Sequence, residues 1–159
     1  VIVGHSERRA DHRETSEQVA SQTQAAWRAG LTAIICIGET ETERTEGRMQ
    51  DILARQIEGS VPQEATPQNT AVAYEPVWAI GTGKTASLAD IEAAHAFIRT
   101  RMEARLGARG RDVRLLYGGS VKPSNAKEIL STTGVDGVLV GGASLKAADF
   151  LPIISAAVV

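Results

Sequence analysis

Two side chains in this sequence stand where a buried strand would hand them to solvent: His5, just after Val1-Ile2-Val3, and Glu75, just after Ala71-Val72-Ala73-Tyr74. A histidine placed where a strand turns into a helix start is disfavoured as a cation by the helix dipole, and a neutral imidazole can donate a hydrogen bond to a carbonyl. A glutamate at the mouth of a sheet, partly desolvated, gains the raised pKa of a useful base. Taken singly, such a histidine is more often structural and such a glutamate more often solvated. Two glycine pairs, Gly118-Gly119 followed by Ser120, and Gly141-Gly142, add a third chemistry. With no Cβ in the way, backbone amides there can approach an anion of the phosphate type. The run Trp78 to Lys84 holds two glycines and no regular period, which fits a mobile lid with small residues near one end, or else a plain surface loop.

The elements that must position these groups are legible as apolar runs. Val1–Val3, Ala33–Ile37, Ala71–Tyr74, Val113–Tyr117 and Val138–Val140 read as buried strands. Helices are predicted over Ser16–Ala29, Thr45–Ile57, Leu88–Leu106, Pro123–Leu130 and Ala147–Ala157, with Gly30, Gly59 and Gly107 as stops for the first three. Leu88–Leu106 is the clearest, with Leu88, Ile91, Ala94, Ile98, Met102 and Leu106 forming one stripe behind a Ser87/Asp90 cap. Strands alternating with helices predict a parallel sheet, and in such sheets ligands bind at the carboxyl ends of the strands. His5, Glu75 and both glycine pairs occupy those ends. Glycine pairs after two consecutive strands match the phosphate site that many closed (β/α)₈ barrels build after strands seven and eight. Counting back makes the first strand here the fourth.

Composition excludes several alternatives. At 159 residues with 43 % hydrophobic content the chain fits one domain, spanning 1–159. A formal net charge of −2 with mixed signs gives no footprint for nucleic acid or an anionic membrane. No apolar run approaches the ~18 residues of a membrane span. The start, Val1-Ile2-Val3-Gly4-His5, shows no leader signature, which with the single Cys36, read as a small buried apolar residue, predicts a cytoplasmic protein. His12 and His95 are read as structural, and the acidic run Glu39–Glu43 mostly as a solvated helix start.

Gly4-His5-Ser6-Glu7-Arg8-Arg9 and Ala73-Tyr74-Glu75-Pro76-Val77-Trp78-Ala79-Ile80-Gly81-Thr82-Gly83 together resemble the two signature segments of the triosephosphate isomerase family. Tyr117-Gly118-Gly119-Ser120-Val121 and Asp136-Gly137-Val138-Leu139-Val140-Gly141-Gly142-Ala143 are similar to that family's last two strand ends, in the right order. The resemblance implies an α/β fold of the TIM-barrel type and an isomerase of glycolysis and gluconeogenesis that needs no cofactor and no metal. It implies His5 as the electrophile, Glu75 as the base, and Glu7 as a supporting carboxylate. The substrate phosphate would be bound by Gly81, Ser120, Gly141 and Gly142. The lid would comprise Pro76, Val77, Trp78, Ala79 and Ile80 and continue through Thr82, Gly83 and Lys84, with Trp78 at its hinge and Glu39 its partner in the closed state. Arg99 and Asp136 would form a structural ion pair.

The same resemblance predicts a partial barrel of about five parallel strands with flanking helices. The family's first strand ends in an asparagine and a lysine that reach the substrate, and no residue here aligns with either. Removing even one electrostatic donor from such a site costs about 10²–10³ in turnover. The expected activity is therefore reduced or lost. A homo-oligomer through an interface the family does not use is predicted to cover the sheet edges. Two alternatives stay open: a catalytically inactive phosphate-binding or self-assembling partial barrel, and a piece that works only when complemented by the remaining strands.

Overall fold

Short runs of β-branched and small residues condense into one all-parallel, five-stranded sheet with its strands in sequence order, β1 to β5. The structure is a computed structural model that describes residues 1–81 and 84–157. The predicted lid residues Thr82 and Gly83 lie outside the described residues. The strands are β1 (Ile2–Val3), β2 (Ala33–Ile37), β3 (Thr70–Tyr74), β4 (Arg114–Tyr117) and β5 (Gly137–Val138). Helices α1 (Ser6–Asp11), α2 (Ser16–Arg28), α3 (Glu41–Thr45), α4 (Met49–Ser60), α5 (Leu88–Leu106), α6 (Arg109–Asp112), α7 (Ala126–Leu130) and α8 (Ala147–Ala157) make the crossovers and the flank.

Strand periodicity sorts the side chains. Ile35, Ile37, Val72, Tyr74, Leu115 and Tyr117 belong to the buried cluster shared with Val19, Leu53, Ile57, Ile91 and Ile98 of the helices. The opposite parity places Ala71, Ala73 and Glu75 in one row, with Cys36 in register beside Ala73. Small residues dominate this second row, so Glu75 rises at its end above a narrow floor. Toward the edges the second face is less covered: Ile2 is 48 % exposed, and among the described residues β1 pairs with β2 alone and β5 with β4 alone.

Several boundaries differ from the sequence reading. The helix predicted over Thr45–Ile57 is two helices, because Gly47 adopts φ +72° and ends α3, which begins with a Thr40/Glu43 capping box. Gly59, expected as a cap, lies inside α4, where a Cβ would press on Ser16 of α2. The helix predicted from Pro123 starts at Ala126, since Asn125 turns the preceding loop. The last strand is Gly137–Val138 and not Val138–Val140. Leu88–Leu106 stands as predicted, with its capping box and Gly107 at φ +64°.

Within α5, Leu88 is 42 % exposed whereas His95 is fully buried. His95 has a polar partner the sequence did not reveal. Its Nδ1 lies 2.9 Å from the Gly134 carbonyl, which can only accept, so Nδ1 carries the proton. Its Nε2 meets no partner among the described residues, and its ring edge stands against Tyr74. Burial lowers the His95 pKa, ahead of the opposing Gly134 and Asp136 and the reinforcing Arg99. A histidine held neutral by the fold contributes stability above its ordinary value, ~6.5, that is lost as pH falls below it. Acidification from pH 7.5 to 5 is expected to lower the melting temperature, and His95→Asn to flatten that dependence. Thermal denaturation of both proteins across that range measures the difference.

Candidate active site

Gly4 begins the site because it adopts φ +65° and reverses the chain after β1, where a Cβ would crowd Val19. His5 follows as the N-cap of α1, and its Nδ1 accepts from the Glu7 backbone amide at 3.4 Å. An imidazole that accepts at Nδ1 carries its proton on Nε2. That nitrogen is 2.9 Å from Glu75 Oε1. The second carboxylate oxygen, Oε2, accepts from the Ser6 backbone amide at 2.9 Å. Glu7 thus reaches the site through its backbone, and its own side chain is exposed.

Glu75 is 2 % exposed. Burial raises its pKa, opposed by the His5 imidazole, the Ser6 amide, the Cys36 thiol and the Arg9 guanidinium. The Cys36 thiol lies near this carboxylate, and burial, reinforced by the charge of Glu75, drives the thiol pKa up. The sequence reading of Cys36 as buried was right, but its contact with Glu75 was missed. The signal was strand parity, which puts Cys36 and Glu75 on the same face.

Arg9 was quoted in the first motif without a role. Its guanidinium donates to the Gly4 and Cys36 carbonyls at 2.8 and 3.1 Å and to Ser60 Oγ at 2.9 Å. These bonds tie the carboxyl ends of β1 and β2 to α4. Gly38 packs directly under the base, its position fixed by Gln56, whose amide meets both the Gly38 N–H and C=O at 2.7 and 3.0 Å.

After Glu75 the chain forms a 3₁₀ turn over Val77–Ala79, so the first half of the predicted lid has regular structure. Glu39, fully buried, organises it. Its Oε1 accepts from Tyr74 Oη at 3.0 Å, Trp78 Nε1 at 2.9 Å and Arg44 Nη1 at 3.3 Å, while its carbonyl takes the Val77 amide. Arg44 also pairs with Asp90 at 2.6 Å and lies 4.6 Å from the centre of the Trp78 ring. Glu39 therefore departs from the solvated helix start read for most of the acidic run. Lys84, across the loop, pairs with Glu41.

A cavity of about 450 Å³ joins these parts. His5, Glu75, Ile80, Gly81, Gly118, Gly119, Ser120, Gly141 and Gly142 line it. Every predicted phosphate residue thus faces the same space as the His5–Glu75 pair. Trp78 stands behind that wall, on Glu39. Arg99 and Asp136 form their ion pair at 2.8 Å, away from the cavity, where Asp136 also accepts the Leu115 amide. Among the described residues no His, Cys, Asp and Glu grouping suits a metal ion, and no helix is long and apolar enough to cross a membrane.

The chemistry available is that of a desolvated carboxylate base beside a hydrogen-bond donor, in a pocket with glycine-rich anion cradles. Comparison with known proteins agrees with that geometry. The family model described as triosephosphate isomerase matches residues 1–157. Triosephosphate isomerase of Chelativorans sp. (strain BNC1) is 63 % identical over 156 residues, covering 98 % of this chain and 61 % of the relative. That of Brucella abortus biovar 1 (strain 9-941) is 59 % identical over 153 residues, covering 96 % and 60 %. The crystal structure of triosephosphate isomerase from Bartonella henselae aligns with a TM-score of 0.92 at 54 % identity, covering 98 % of this chain and 63 % of that one. The chain spans about three fifths of the length of the curated relatives it matches.

Proposed function

The chain belongs to the triosephosphate isomerase family, and from that premise we propose that it carries an intramolecular aldose–ketose isomerisation between dihydroxyacetone phosphate and glyceraldehyde 3-phosphate. The observation that carries this reading is the 2.9 Å pairing of His5 Nε2 with Glu75 Oε1 at the wall of a cavity that also holds both glycine pairs. The reaction is placed in the cytoplasm, in glycolysis and gluconeogenesis, on a single 1–159 domain.

In the present geometry the base is docked on its own electrophile. A substrate carbonyl that enters takes over the His5 Nε2–H and displaces Glu75 from it. The freed carboxylate removes a proton from the carbon next to the carbonyl, while the His5 hydrogen bond stabilises the negative charge that develops on oxygen. Within the enediolate the hydroxyl proton passes from one oxygen to the other across His5 Nε2, and the Glu75 carboxyl returns its proton to the neighbouring carbon, so that carbonyl and hydroxyl trade places. Gly81, Ser120, Gly141 and Gly142 hold the phosphate through backbone amides. The raised pKa of Glu75 suits both halves of this cycle.

The five strands fill the places of the fourth to eighth strands of the barrel in this reading, supported by the glycine pairs after β4 and β5 and by the length of the relatives. A second reading, a phosphate-binding or self-assembling partial barrel without turnover, is favoured by one observation. Among the described residues the two outer strands pair on one side only, and Ile2, which lines the cavity, is half exposed. A second copy seated on these edges, outside the family's usual interface, would cover them.

Incubation of the purified chain with dihydroxyacetone phosphate in deuterium oxide separates the readings. Deuterium incorporated next to the carbonyl, absent with Glu75→Ala, is expected for the isomerase. Binding of the substrate without exchange supports the second reading. Exchange restored by a polypeptide supplying the three remaining strands assigns the chain to a complemented barrel.

A further inference from the structure

The cavity has a charge problem. Among the described residues that line it, only His5, Glu75 and Lys122 carry ionisable side chains. With His5 neutral and protonated on Nε2, the Glu75 carboxylate would repel an entering dianionic phosphate ester, and Lys122 is what offsets it. Lys122 is the one cationic side chain on that wall.

Its place there is built. The loop after β4 is folded back by Asn125, whose Oδ1 accepts the Lys122 amide at 2.7 Å and whose Nδ2 donates to the Ser120 carbonyl at 3.1 Å. One side chain thereby fixes the backbone of both residues and leaves Ser120 and Lys122 side by side on the cavity. Lys122 is exposed, and among the described residues it enters no salt bridge, whereas Lys84 pairs with Glu41.

We propose that Lys122, held at the cavity mouth by Asn125, is the electrostatic capture residue for the substrate's phosphate dianion. This rests on the triose phosphate reading above. An exposed ammonium acts on an approaching dianion over distances comparable with the Debye length, about 10 Å at 0.1 M salt. Its contribution therefore falls on affinity and on the rate of association, not on the proton transfer. Asn125 is a positioning residue that acts through it.

Calorimetric titration with glycerol 3-phosphate, a three-carbon phosphate ester without a carbonyl, tests the assignment. In low salt Lys122→Gln is expected to weaken binding by about three- to tenfold, Lys122→Arg to keep wild-type affinity, and the gap between wild type and Lys122→Gln to close near 0.3 M sodium chloride. Where turnover is measurable, KM rises in Lys122→Gln and kcat does not change. Equal affinity and equal salt dependence in wild type and Lys122→Gln overturns the role of Lys122 while leaving the triose phosphate reading intact. Failure of the wild-type chain to bind the ester overturns that reading and the role of Lys122 with it.

Discussion

On the proposed isomerase function, Glu75→Gln is expected to lower turnover by about 10²–10⁴ and, at neutral pH, to relieve the fold of a buried anion. The two effects share one cause. The carboxylate is buried, and burial raises its pKa over the opposition of His5, Ser6, Cys36 and Arg9. A carboxyl group with a raised folded pKa contributes stability that is fully present below its ordinary value, about 4.3, and is lost as pH rises through the folded value. At pH 7.5 the wild-type protein therefore bears a cost for holding a buried anion. Glutamine removes that charge but has one acceptor oxygen where the carboxylate has two, so its NH2 stands against the His5 Nε2–H or the Ser6 N–H and offsets part of the gain. Calorimetric melting at pH 7.5 and pH 4, beside a coupled isomerase assay, reads both effects. Turnover that survives the substitution would move the base to another residue.

The second large effect belongs to a residue that does no chemistry. Gly38→Ala is expected to cost about 4 kcal/mol or more, because the new Cβ would fall inside the Glu75 backbone carbonyl and neither strand end can yield. Gln56 fixes Gly38 from one side, and the Glu75 amide is bonded to the Ile37 carbonyl at 2.7 Å on the other. For a domain of this size that corresponds to a loss of roughly 8–16 °C in melting temperature. Such protein as still folds has its base displaced, and ~1 Å of displacement costs about a hundredfold in rate. Gly30→Ala serves as the control, since Gly30 bears the strain of a positive φ, which Gly38 does not, but has nothing within 4 Å of its Cβ direction. A Gly38→Ala protein that melts like Gly30→Ala would mean that the backbone under Glu75 is free to move.

What the sequence reveals and what it conceals divides along physical lines. Parallel strands buried on both faces are continuous apolar runs, so β2 and β3 stand out, and α5 announces itself by stripe, cap and terminal glycine. His5, Glu75 and the glycine pairs are visible because chemistry at strand ends needs particular residue types just past an apolar run. The break between α3 and α4 is hidden because the acidic run has no apolar period for Gly47 to interrupt. Glu39 is singled out as the partner of Trp78 by the family resemblance alone, because one buried carboxylate among exposed ones differs only in what folds over it, namely Tyr74, Trp78 and Arg44. His95 occupies a stripe position, but its partner is the carbonyl of Gly134, and backbone carbonyls leave no trace in a sequence pattern.

Glu39 holds the chain on both sides of the base, through Tyr74 immediately before it and Trp78 three residues after it. The base is therefore slung between two fixed points on a single carboxylate, and the segment that follows Trp78 hangs from the second of them. For protein engineering this makes Ile80, on the cavity wall beyond that second point, a position where side-chain size can be varied to alter what the cavity admits without retuning the position of the Glu75 carboxylate.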